Sequence, residues 1–183
     1  MIRFKEEILS KDESKEKEEK KALIMIVDDE PAILKELGAL LSSNYDVITA
    51  SDGQEALEII QGMTHPEELA LIICDQRMPR MTGVELCKKL ATNQIMPDTI
   101  RIILTAYPDI PVILEAINEA HIYKFILKPF DPNDLILTVQ RAIEAFYYQR
   151  ELKEIREELA NRLFEIKEKD SIIAELKKSQ PSA

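Results

Sequence analysis

The stretch ALIMIVDDEP, residues 22–31, decides the fold. Six apolar residues end abruptly at three acids and a proline. A short unbroken apolar run rich in Ile and Val is what a strand buried on both faces looks like. Pro31 then stands where a first helical turn tolerates it, behind acids that can cap a helix and complement its dipole. The stretch therefore reads as the end of a strand passing directly into a helix. Four more runs repeat it: DVITA (46–50), LALIIC (69–74), IRIILT (100–105) and KFIL (124–127). Helical periodicity occupies 31–41, 53–60, 83–90 and 109–119, and a last helix begins near Asp131-Pro132. Five successive strand–helix units need crossover connections, which makes the sheet parallel with helices on both faces. The expected fold is a doubly wound α/β domain with five parallel strands.

The rest of the chain bounds what such a domain does. Its 183 residues are 45% apolar, enough for one ordinary core. No apolar run approaches the ~20 residues of a membrane span, and the charged N-terminus is unlike a signal peptide, so a soluble cytoplasmic protein is expected. Cys74 and Cys87 form no CxxC or Cys/His cluster, which argues against a disulfide framework or a zinc site. They read as a buried strand residue and a core-facing helix residue. The four glycines lie nine or more positions apart, so neither GxGxxG nor a P-loop can be written.

Charge divides the chain in three. Residues 1–21 carry seven acids and seven bases, a solvated extension; 144–183 carry nine acids and eight bases. The segment 22–143 holds 18 acids against nine bases, so nearly all of the formal charge of -10 lies there. Such a domain is a poor partner for nucleic acid, whose binding needs cations to neutralise phosphates, and a better one for metal ions or basic surfaces. Expected boundaries are a charged extension (1–21), the α/β domain (22–143), and a C-terminal helix with a short tail (144–183).

That helix has nothing to stop it. From Asn133 to Gln180 there is neither Gly nor Pro. With Ala145 at a, the a/d positions are Ala145, Tyr148, Leu152, Ile155, Leu159, Arg162, Ile166, Lys169, Ile173 and Leu176, a coiled-coil pattern weakened at Arg162 and Lys169. A lone helix projecting into water is marginal, so a homodimer through this helix is expected.

In an open α/β sheet, ligands bind beyond the carboxyl ends of the strands. Beyond the first strand stand Asp28, Asp29 and Glu30; beyond the third, Asp75; the fourth ends at Thr105 and Ala106; the fifth leads into Lys128-Pro129. Carboxylates, a hydroxyl and an ammonium are thus expected at one edge. Crowded carboxylates repel unless a divalent cation joins them, and Mg²⁺ prefers such hard oxygens. One carboxylate can then serve as nucleophile toward a phosphoryl group, with a hydroxyl and a lysine neutralising its oxygens. His65 and His121 lie away from this edge in sequence and are set aside.

The segments IVDDEP (26–31), DQRMPRMTG (75–83), ILTAY (103–107) and FILKPF (125–130) closely resemble the receiver (CheY-like) domain of bacterial two-component response regulators, over roughly residues 22–143. The resemblance implies a flavodoxin-like strand order 2-1-3-4-5. It implies that Asp75 accepts a phosphoryl group from a phosphohistidine on a histidine kinase or phosphotransfer protein. Asp29, Asp75 and the Arg77 carbonyl would ligate Mg²⁺, with Asp28 acting mainly through water. Lys128, Thr105 and the Ala106 amide would bind the phosphoryl oxygens. Phe125 takes the switch-aromatic position and would move with Thr105, biasing the face formed by the fourth helix, fifth strand and fifth helix. The Lys128-Pro129 bond would be cis. Arg77 and Tyr107, each two residues past a site residue, would overhang the phosphoryl group and slow its hydrolysis.

The leading expectation is therefore a phosphoacceptor switch rather than an enzyme, signalling through that face and a dimerising coiled coil. No recognisable DNA-binding module follows in the last 40 residues, so direct transcriptional control is not expected. Three rivals are weighed beside it. The chain could be a piece of a longer regulator with an enzymatic output. It could be a Mg²⁺-dependent aspartyl-phosphate phosphohydrolase, although those of the haloacid-dehalogenase type carry DxDx[TV] after the first strand, where this chain reads Asp28-Asp29-Glu30-Pro31. It could be a structural coiled-coil adaptor with an inert receiver.

Overall fold

A computed structural model of the protein describes residues 21–92, 96, 98–106 and 120–179. The helix expected over 109–119 lies outside the described residues. In chain order the elements are β1 (Leu23–Val27), α1 (Pro31–Leu41), β2 (Asp46–Ala50), α2 (Gly53–Gly62), a 3₁₀ turn (Pro66–Glu68), β3 (Leu69–Asp75), α3 (Gly83–Thr92), β4 (Ile100–Thr105), β5 (Lys124–Leu127) and α4 (Pro132–Ser179). The five strands form one sheet in the order β2-β1-β3-β4-β5, and every pairing is parallel. This is the expected flavodoxin-like arrangement.

The alternation of side chains along the strands splits the core in two. Met25, Val27, Ile72, Cys74 and Ile103 face α2 and α3, where they meet Ala56, Ile60, Leu86, Cys87 and Leu90. Ile24, Ile26, Leu71, Ile73, Ile102 and Leu104 face the other way, against Leu37 and Leu41 of α1 and Leu135, Val139, Ala142 and Phe146 of α4. Reading all five runs as strands buried on both faces needs correction at the margins. β1, β3 and β4 are buried along almost their whole length, whereas β2 and β5 are largely half-exposed because each has a neighbour on one side only.

Helix starts are chemically fixed. Asp52 accepts hydrogen bonds from the backbone N–H groups of Gln54 (2.7 Å) and Glu55 (3.1 Å), capping α2. Thr82 and Glu85 form a reciprocal capping box before α3: the Glu85 carboxylate accepts from the Thr82 N–H (2.8 Å), and Thr82 Oγ1 accepts from the Glu85 N–H (3.2 Å). α3 starts almost in contact with the end of β3. A Cβ at Gly83 would sit 2.4 Å from the Asp75 carbonyl oxygen and 2.6 Å from Cys74 Sγ, so only glycine fits there.

α4 runs 48 residues, about 70 Å at ~1.5 Å per residue. Its first turns are buried down to Phe146; beyond them Ile155, Leu159, Leu163 and Ile166 are all about half exposed. It leaves the domain at the amino-terminal edge of the sheet. There Arg150 lies 5.4 Å over the Phe146 ring and donates to the Glu67 carbonyl (3.5 Å), while Lys153 pairs with Asp98 (3.1 Å) just before β4. Among the described residues no helix is long and apolar enough to cross a membrane.

Candidate functional site

The carboxyl-terminal edge of the sheet is tied together main chain to main chain. Gln76, just past β3, donates its N–H to the Leu104 carbonyl (2.8 Å), and Lys128, just past β5, donates to the Thr105 carbonyl (2.9 Å). Asp28 donates its N–H to the Ala50 carbonyl (3.2 Å) and accepts from the Glu30 N–H (2.9 Å), a turn an Asp side chain readily makes. The Lys128–Pro129 bond is cis.

These ties bring the side chains together. Lys128 Nζ donates to Asp75 Oδ1 at 2.6 Å and to Asp28 Oδ2 at 2.8 Å, residues 53 and 100 positions away in the chain. Asp28 is fully buried and Asp75 is 8% exposed. The second oxygen of Asp75 accepts the Arg77 N–H at 2.5 Å. Burial pulls the Lys128 ammonium downward, but the hydrogen bonds and charges of Asp28 and Asp75 outweigh it, and its pKa lies above the ordinary lysine value.

A cavity of about 210 Å³ opens over this cluster, lined by Asp29, Glu30, Asp75, Arg77, Thr105, Ala106 and Lys128. Thr105 is buried, while Asp29, Arg77 and Ala106 are exposed at the mouth. Phe125 is half-buried beside Ile103 of β4; Thr105, two residues further along, presents the same sheet face as Phe125. Tyr107 lies outside the described residues. His65 is exposed and paired with Glu67, and His121 is exposed; neither lines the cavity.

Among the described residues no three His, Cys, Asp or Glu side chains form a cluster able to hold an ion by themselves. Asp28 and Asp75 are bridged by the Lys128 ammonium, and Asp29 sits at the rim.

Sequence reasoning passed over three residues that hold the surrounding loop. Gln76 Oε1 accepts the Val84 N–H (3.2 Å), Gly83 allows α3 to approach Asp75, and Asp52 makes an ion pair with Arg80. Asp52 was recoverable, since an Asp before a helical stretch is a cap signal. The other two depend on contacts that local pattern does not encode.

Comparison with known proteins agrees with this fold. The profile of the response regulator receiver domain family matches residues 24–140. The hydrogenase transcriptional regulatory protein HoxA of Cupriavidus necator is 37% identical over 141 residues, covering 77% of this chain and 28% of that protein. The transcriptional regulatory protein GlrR of Escherichia coli is 35% identical over 126 residues, covering 68% of this chain and 27% of its own length. The chain thus spans little more than a quarter of these regulators. Among solved structures, the signal receiver domain of an HD domain-containing protein from Pseudomonas fluorescens superposes with a TM-score of 0.65 at 33% identity, covering 72% of this chain and 93% of its own. The chemotaxis protein CheY4 of Vibrio cholerae gives 0.59 at 31%, covering 67% and 98%. The chain belongs to the response regulator receiver domain family.

Proposed function

We propose, from that membership, that the chain is a phosphorylation-operated switch whose phosphoacceptor is Asp75. An Asp75 carboxylate oxygen attacks the phosphorus of a phosphohistidine on a histidine kinase or phosphotransfer protein. The P–O bond forms as the P–N bond breaks, and the freed imidazole takes up a proton. Thr105, the Ala106 amide and Lys128 receive the phosphoryl oxygens, and Lys128 offsets the added charge, which approaches two negative units. The observation that carries this reading is the Lys128 ammonium held at 2.6 and 2.8 Å between Asp75 and Asp28 beside an open acidic cavity.

The donor set at the cavity suits Mg²⁺: hard carboxylate oxygens on Asp29 and Asp75 and the backbone carbonyl of Arg77, with Asp28 acting mainly through water. When bound, the cation supplies neutralisation of the negative charge gathered at the site. Arg77 and Tyr107 restrict the water that hydrolyses the acyl phosphate. In this reading the site performs no reaction but its own phosphorylation and dephosphorylation.

Readout runs through Phe125, the β5–α4 side with the helix expected over 109–119, and α4. Phosphorylation draws Thr105 toward the phosphoryl group, Phe125 turns into the space vacated, and the equilibrium of that side shifts. Two copies pair through the half-exposed apolar residues of α4 beyond Phe146. A soluble, cytoplasmic setting fits, and the acidic domain itself binds neither nucleic acid nor membrane. The relatives' greater length supports the view that such a receiver drives a further module, attached or on a partner.

Mass spectrometry after incubation with acetyl phosphate and MgCl₂ tests the reading. An adduct of about 80 Da on Asp75, lost in Asp75→Asn, is expected. No adduct on the parent chain overturns the reading, and turnover of phosphate esters at Asp75 would favour a phosphohydrolase instead.

A further inference from the structure

Arg80 adopts φ 67°, a left-handed conformation that a long side chain rarely takes and that favours glycine or asparagine. The Met81 N–H donates to the Pro79 carbonyl at 2.7 Å, closing a three-residue turn around Arg80. Turns of this size with positive φ at the centre are rare and strained. Such strain persists where surrounding structure over-determines it, and it gathers at functional sites.

Two contacts supply that determination, both to the start of α2. The Arg80 guanidinium pairs with Asp52 Oδ2, a carboxylate that is almost fully buried. Asp52 Oδ1 is already committed to the N–H groups of Gln54 and Glu55, so the carboxylate is fixed and cannot follow the arginine. Next door, Met81 packs closely on Gly53: a Cβ at Gly53 would meet Met81 Sδ at 3.0 Å. Residues 76–82 are thereby fastened at their far end to α2, as they are at their near end by Gln76 to Leu104. This loop carries Arg77, whose N–H meets Asp75 and whose carbonyl is one of the oxygens assigned to Mg²⁺ above.

We propose that Asp52 and Arg80 are positioning residues for the metal and phosphoryl site, holding the Arg77 backbone in register with Asp75 at the expense of a strained turn. The inference rests on the phosphoacceptor reading; Asp52 and Arg80 act through the Arg77 backbone and touch neither the ion nor the phosphoryl group. It makes an unusual demand on signs. Were Arg80 acting only through its charge, its removal near an acidic cavity would tighten cation binding, whereas loss of positioning weakens it.

The experiment is an NMR titration of the full chain with MgCl₂, comparing the parent with Arg80→Ala, Arg80→Gly, Asp52→Asn and the Asp52→Asn/Arg80→Ala double variant. Asn keeps the helix cap, and Gly relieves the turn, so neither change unfolds the domain through those features. Each single variant is expected to weaken Mg²⁺ binding about threefold to tenfold, below the effect typical of groups bonded directly to a ligand. The double variant should be no weaker than the poorer single one. The Arg77 amide resonance should move in every variant before metal is added. Unchanged or tighter Mg²⁺ binding by Arg80→Ala or Arg80→Gly overturns the inference. A parent chain that binds no Mg²⁺ at all strikes instead at the metal assignment, and is told apart because no variant then differs from it.

Discussion

Replacing Gly83 with alanine tests whether α3 and β3 approach as closely as described. The added carbon would lie 2.4 Å from the Asp75 carbonyl oxygen, 2.6 Å from Cys74 Sγ and 3.1 Å from Ile103 Cδ1. The first neighbour is backbone in a central strand and the others lie in the packed core, so none can swing aside. Inserting a methyl group into such a site costs about 1–3 kcal/mol, and a clash with main chain belongs at the upper end. Alanine's better helix propensity returns about 0.5–1 kcal/mol, leaving a net loss of about 2 kcal/mol. For a domain of this size that lowers the melting temperature by roughly 8 °C. Thermal unfolding followed by circular dichroism reads the shift. Labelling by acetyl phosphate should fall with it, because the displaced carbonyl belongs to Asp75 itself. Gly38→Ala is the matched control: in mid-α1, with nothing within 4 Å of its Cβ, it should raise stability by about 0.5–1 kcal/mol. A Gly83→Ala protein melting within about 2 °C of the parent would refute the close approach.

Further outcomes are expected elsewhere. Hydrogen bonds from the Thr82 N–H and hydroxyl hold the Glu85 carboxyl below its usual pKa of 4.5. A depressed pKa contributes stability above the unfolded value and loses it as pH falls through the folded one. Glu85→Gln should therefore flatten the acid limb of a stability–pH curve below pH 4.5 and lower stability at neutral pH by about 0.5 kcal/mol, with an unchanged limb counting against the capping box. Leu159→Lys places a charge among the exposed apolar residues of α4. Light scattering should then find the 21.0 kDa single chain where the parent gives twice that mass, and a parent that is itself monomeric removes the pairing reading. Cys74 and Cys87 are both buried; a hydrogen bond with Cys87, together with burial, raises the Cys74 thiol well above its ordinary value. Neither should react with a disulfide reagent at pH 8 until the chain is denatured; rapid reaction of the native protein would contradict the packing.

The strands were legible because each is a short apolar run ending at a polar residue. β2, β4 and β5 begin and end where periodicity puts them, and β3 gains only Asp75. Helix α1 likewise spans Pro31–Leu41 as its pattern indicates, whereas α2 and α3 run two residues further than their periodicity. Strand order came from the resemblance, since nothing in a local pattern says which strands adjoin. The meeting of Asp28, Asp75 and Lys128 followed from the rule that such sheets gather chemistry at their carboxyl edge. What stayed hidden depends on close approach or unusual backbone: Gly83 against Asp75, the Arg80 turn, and the Asp52–Arg80 ion pair. Each is a pairwise distance in three dimensions, which no count along the chain contains.

The strands that carry Asp75 and Thr105 run the full depth of the domain, and the last helix is gripped beside their opposite ends, at Glu67 and Asp98. Seven residues of β3 amount to roughly 23 Å of rigid sheet between the two edges. Substitutions at the helix exit therefore fall outside direct contact with the reactive groups. A layout with the reactive groups at one end and the helix exit at the other lends itself to recombination: the same body can be joined, over evolutionary time, to dissimilar appendages.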